Sequence, residues 1–61
     1  MKAKDIIRVI EKDGWNLVRQ KGSHMHFQHP IKPGTVSVPY HGNKDIAKHV
    51  IANILKQAGL K

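Results

Sequence analysis

The sequence predicts an α+β fold in which two helices cover one face of a three-stranded antiparallel sheet, in the order helix–strand–strand–strand–helix. Three observations carry this expectation. Apolar residues recur at spacings of three and four near both ends of the chain, which is the periodicity of one-sided helices. Between them lie three short segments rich in strand formers, two of which alternate apolar and polar positions. Glycine or proline punctuates the junctions between these segments.

Residues 3–13 form the first element. Ala3, Ile6, Ile7 and Ile10 share one helical face, Lys4, Arg8, Glu11 and Lys12 occupy the other, and Gly14 closes the helix. Trp15 to Gln20 is predicted as the first strand, and Lys21-Gly22-Ser23 as the turn that follows it. From His24 to His29 the chain alternates, with Met25 and Phe27 on one face and His24, His26 and Gln28 on the other. The stretch Pro30-Ile31-Lys32-Pro33-Gly34 is a second turn. Thr35 to Tyr40 alternates again, so that Val36 and Val38 pair with Met25 and Phe27 on the buried face.

The last element spans 46–58. Val50, Ile51, Ile54, Leu55 and Ala58 form its apolar stripe, Gly59 stops it, and Asn43 or Asp45 is the expected cap. A sheet with one apolar face requires cover, and two one-sided helices provide it. The face carrying His24 and His26 is then left open.

With 61 residues the chain is expected to form a single domain, residues 1–61. A domain of this size buries only about 60% of the surface its unfolded chain exposes, so its core is thin and any reactive group must lie in a shallow groove. It has no cysteine, which removes disulfides and thiolate metal sites. No apolar stretch has the length of a membrane span or a signal peptide, and the chain reads as cytoplasmic, without a membrane role. Eleven Lys and Arg against four acidic residues give a formal charge of +7. So strong a basic balance on so small a body points to a polyanionic partner, with nucleic acid the first choice.

Five histidines suggest chemistry. A metal site would need three or four ligands converging from several elements, usually with carboxylate help. The carboxylates here, Asp5, Glu11, Asp13 and Asp45, are dispersed over helices and their ends, so neither a metal nor any other cofactor is expected. The same dispersal argues against two-metal hydrolysis. RNA, however, brings its own nucleophile, the 2′-hydroxyl. Cleaving it needs a base, an acid for the departing 5′-oxygen, and cations beside the phosphate. Histidine serves either proton-transfer role near neutrality. Arg19 and Lys21 stand where they can stabilise charge on the phosphate, and Gly22 lets a phosphate approach the backbone N–H groups of the turn at Ser23. Spacing alone does not choose among the histidines.

The assembled segments resemble the HicA family of toxins. The likeness is carried by Gly14-Trp15, by Val18-Arg19-Gln20-Lys21-Gly22-Ser23-His24 leading into His26-Phe27, by Val36-Ser37-Val38-Pro39-Tyr40-His41-Gly42, and by Ile54-Leu55-Lys56-Gln57-Ala58-Gly59-Leu60. It implies a fold similar to a double-stranded-RNA-binding domain and the toxin of a toxin–antitoxin pair. It further implies an endoribonuclease (mRNA interferase) that cleaves mRNA, arrests translation, and is held inactive by a HicB-type antitoxin. The family's catalytic histidine is the one in Gly-Ser-His, which falls on His24. The acid remains open among His26, Lys21, Arg19 and water. Two departures stand out: Met25 occupies a position that is polar in many relatives, and Lys48-His49-Val50 replaces a Pro-Gly-Thr-like start of the second helix.

The competing expectation is a non-catalytic double-stranded-RNA-binding module. Lys44, Ala47 and Lys48 partly resemble the helix start with which such domains grip phosphates, although Asp45 interrupts the pattern. The RNA-binding set expected from both readings is Arg19, Lys21, Gly22, Ser23, His26, Lys44 and Lys48.

Overall fold

The computed structural model describes residues 1–61 and contains α1 (Ala3–Asp13), β1 (Asn16–Lys21), β2 (His24–Gln28), β3 (Thr35–Pro39) and α2 (Lys48–Gln57). The strands form one antiparallel sheet in the order β1-β2-β3. This is the α-β-β-β-α architecture of the double-stranded-RNA-binding-domain type that the sequence predicts.

The core follows from the two periodicities. Ala3, Ile6 and Ile10 of α1 and Ile54 of α2, with Ala58 just beyond it, meet Phe27, Val36 and Val38 of the sheet, and Trp15 completes the cluster. Met25, Ile7, Ile46, Val50, Ile51 and Leu55 pack around it, half-buried. Both helices lie chiefly over β3, so β1 is left at an uncovered edge with all six residues exposed.

Both helices end in the same device. Gly14, at φ 111°, and Gly59, at φ 71°, occupy backbone conformations that other residues rarely adopt. In each case the residue after the glycine donates back across the last turn, Trp15 to the Ile10 carbonyl and Leu60 to the Leu55 carbonyl. At α1 this turns the chain so that Trp15 enters the core, where its Nε1–H donates to the Ala58 carbonyl at 3.3 Å. Trp15 therefore precedes β1 instead of opening it.

The start of α2 differs from the expectation. The helix begins at Lys48 and its N-cap is Ala47, without a side-chain cap. Asn43 and Asp45 do not cap it, because residues 45–46 are extended and tied to the N-terminus. Lys2 and Asp45 form a β-bridge, Ile46 N–H donates to the Met1 carbonyl at 2.8 Å, and the terminal ammonium lies 3.7 Å from the Asp45 carboxylate.

Candidate functional site

The face of the sheet turned away from the helices carries the groups that the sequence singles out. β2 sets His24 and His26 on it by simple alternation. β3 contributes Ser37 directly opposite His26, and Pro39 opposite His24. β1 brings the cations, through a bulge. Leu17 pairs with Phe27, but the register slips by one residue between Leu17 and Arg19, so that Arg19 pairs with His26 and Lys21 with His24. In an unbroken strand Arg19 would share the face of Leu17. The extra residue, Val18, reverses the alternation and delivers both cations to the histidine face.

The result is two rows across the sheet, Lys21–His24–Pro39 and Arg19–His26–Ser37. Neither Arg19 nor Lys21 is paired with a carboxylate; the ion pairs of the molecule involve Met1, His29 and Lys32. His24 is exposed, whereas His26 is half-buried, and its Nδ1 lies 2.9 Å from Ser37 Oγ. Beside it Val18, Arg19, His26, Gln28 and Thr35 line a shallow groove of about 310 Å³.

The hairpin that presents His24 is tight. Gly22 and Ser23 are its two loop residues, with Gly22 at φ 58°, the left-handed position that favours glycine at the start of such a turn. Nothing lies within 4 Å of the place where a Cβ on Gly22 would project, so the turn is open on that side. Gln20 Nε2 donates to the Gly22 carbonyl at 3.2 Å, and Tyr40 N–H donates to the Ser23 carbonyl at 2.6 Å, anchoring the turn to the end of β3. Lys44 and Lys48 stand apart from these rows. Lys44 is in the loop leaving β3, where it lines a separate cavity of about 220 Å³ with His41 and Asp45. Lys48 is exposed at the first position of α2.

Two residues whose side chains make hydrogen bonds in or near this face are not singled out by the sequence reading. Ser37 is one. Its signal is present in the strand alternation, since pairing Val36 and Val38 with Phe27 and Met25 sets Ser37 against His26. The other is His29, which is a structural group. Its Nδ1 accepts from the backbone N–H groups of Ile31 and Lys32, both at 3.0 Å, so the ring hydrogen resides on Nε2 and is donated to the Asp13 carbonyl at 2.7 Å. The ring also meets Trp15 edge-on, with centroids 5.3 Å apart. Lys32 completes the clamp by donating to the Asp13 carboxylate and, at 3.1 Å, to the Ala58 carbonyl. The Lys32 hydrogen bond holds the Asp13 carboxyl below its ordinary value against the opposing effect of burial.

No group of three or more His, Asp or Glu side chains converges in a metal-binding arrangement, and no helix is long and apolar enough to cross a membrane. No curated protein matches the chain. The family model of the HicA toxin of bacterial toxin–antitoxin systems matches residues 3–60, which covers both helices, all three strands and the histidine face. The chain belongs to the HicA toxin family.

Proposed function

We propose that this toxin is a metal-independent endoribonuclease that cleaves mRNA and arrests translation, with His24 as its catalytic residue. Membership of the family makes it one half of a toxin–antitoxin pair with an antitoxin partner; the ribonuclease activity, the mRNA substrate and a HicB-type partner are our reading. The observation that carries it is the pairing of each open-face histidine with a cation that has no carboxylate partner, Lys21 beside His24 and Arg19 beside His26.

The chemistry follows from that pairing. A phosphodiester lying along β2 meets Lys21 and Arg19 with its non-bridging oxygens, and their charge offsets the negative charge that grows during in-line attack. His24, exposed at the mouth of the Gly22-Ser23 turn, is free to exchange a proton with the 2′-hydroxyl or the 5′-oxygen. Gly22 and Ser23 contribute backbone rather than side-chain contacts. The acidic residues all belong to α1 or to the loop before α2, away from this face, so proton transfer by imidazole is the chemistry the side chains support. Lys44 and Lys48 extend the basic surface for RNA beyond the cleavage site. An antitoxin that covers the open sheet face would block substrate and His24 together.

The alternative is a non-catalytic double-stranded-RNA-binding module, favoured by one feature: Lys44 and Lys48 flank an α2 N-terminus that has no side-chain cap and no acidic residue in its first turn. The two readings separate in one experiment. Purified protein is incubated with single-stranded mRNA in chelator, wild type beside His24→Ala. The ribonuclease reading predicts cleavage by wild type and a loss of about 10²–10⁴-fold in His24→Ala, with RNA affinity and melting temperature retained. Intact RNA after prolonged incubation with wild type would leave only the binding module.

A further inference from the structure

We propose that His26 is the second proton-transfer group of this site and that Ser37 is the residue that positions it; the proposal rests on the ribonuclease reading above.

The hydrogen bond between Ser37 Oγ and His26 Nδ1 is the only one between two side chains on the open face of the sheet. It joins two half-buried residues at directly opposed positions of β2 and β3. Neither contributes to the core, so the bond does not serve packing. Its effect is on the ring. With Nδ1 engaged by the serine hydroxyl, one nitrogen is occupied and the ring rotation is fixed, so Nε2 is left as the atom that faces a substrate. A histidine held through one nitrogen by a third group is the usual arrangement for directed proton transfer. His29 offers the contrast within the same molecule: both its nitrogens are engaged by the backbone, and none is left for a substrate.

The spacing of the two histidines suits one phosphodiester. Two residues along a strand separate their backbones by about 6.6 Å on the same face. In an in-line displacement the attacking and departing oxygens lie on opposite sides of phosphorus, and each proton-transfer nitrogen must come within about 2.6–3.2 Å of its own oxygen. Two imidazoles flanking the phosphate meet this requirement, whereas a single imidazole must serve both sides. One imidazole takes the 2′-hydroxyl proton as the O2′–P bond forms. The other, starting protonated, delivers its proton to O5′ as the P–O5′ bond breaks. The products are a 2′,3′-cyclic phosphate and a free 5′-hydroxyl. Arg19, opposite His26, and the groove it lines supply the cation and the space on that side.

The test is the pH dependence of kcat/KM on a defined single-stranded RNA in chelator, together with RNA affinity and melting temperature. Wild type is expected to give a bell with two limbs. His26→Asn should lose one limb and about 10²-fold or more in kcat, with RNA affinity changed only a few-fold. Ser37→Ala should keep both limbs, displace the one belonging to His26, and lower kcat about tenfold at unchanged KM. Ser37→Thr, which retains the hydroxyl on a residue that suits a strand, should restore the wild-type profile. A His26→Asn enzyme with both limbs at near wild-type kcat, or with its defect confined to KM, overturns the role of His26. A Ser37→Ala profile identical to wild type overturns the positioning role. A wild-type protein that cleaves no RNA removes the ribonuclease reading itself, and this proposal with it.

Discussion

Two regions of this small protein use histidine in opposite ways. On the open sheet face, His24 and His26 stand beside unpaired cations; the His24 ring makes no hydrogen bond within the protein, and the His26 ring makes one, to Ser37. At the clamp that joins the ends of α1, β2 and α2, His29 has none of its hydrogen-bonding capacity left over. Its two nitrogens hold Ile31, Lys32 and Asp13, its ring stacks edge-on against Trp15, and its side chain is 8% exposed. One region leaves bonding capacity for a ligand, and the other consumes it to hold a thin core shut. Residue type is therefore a poor guide to role here, and satisfied valence is a better one.

The largest expected break in this contrast is His24→Ala, which removes activity by the factor given above and leaves the fold untouched. Next comes His29→Ala. It removes three hydrogen bonds, one exposed and two part-buried, each contributing about 0.5–1.5 kcal/mol, and it loses the edge contact with Trp15. In a domain this size each kcal/mol lowers the melting temperature by about 4–8 °C, so a calorimetric scan should detect it readily. Gly14→Ala belongs to the same clamp and loses about 1–2 kcal/mol from the left-handed backbone alone. The added Cβ would also lie 2.7 Å from His29 Nε2, and that ring is pinned and cannot step aside. Urea midpoints for Gly14→Ala, His29→Ala and the double variant would test whether the two act on one clamp, in which case their effects are less than additive.

The smallest effect is one of pH. Lys32 keeps the Asp13 carboxyl below its unfolded value, so the stability this pair contributes is fully present above about pH 4 and is lost as pH falls through the depressed folded value. Lys32→Met should flatten the acid side of the stability curve, read as the difference in urea midpoint between about pH 6 and about pH 3. Little change in that difference would mean that other groups govern the acid limb.

How much of this is legible in the chain depends on whether the signal is local. The bounds of α1, the phase of β2 and β3, and the hairpin at Gly22-Ser23 follow from periodicity and turn chemistry, because each is written in adjacent residues. The bulge at Val18 is not, since Leu17-Val18-Arg19 reads as ordinary strand and the slip exists only against β2. Nor is the start of α2. Asn43 and Asp45 are good caps in isolation, but the N-terminus draws 45–46 into extended pairing first. The role of His29 depends on a carbonyl sixteen positions away, a contact that no spacing rule encodes. Ser37 lies between these cases, since the alternation of two paired strands predicts its neighbour once the pairing is drawn.

The contrast between an open, reactive face and a closed, structural clamp is tested most directly by measuring RNA cleavage per folded molecule and melting temperature for wild type, His24→Ala and His29→Ala side by side. His24→Ala is expected to melt with wild type and not to cleave, while His29→Ala melts lower and cleaves at the wild-type rate below its transition. A His24→Ala protein that cleaves RNA as wild type does would contradict that contrast.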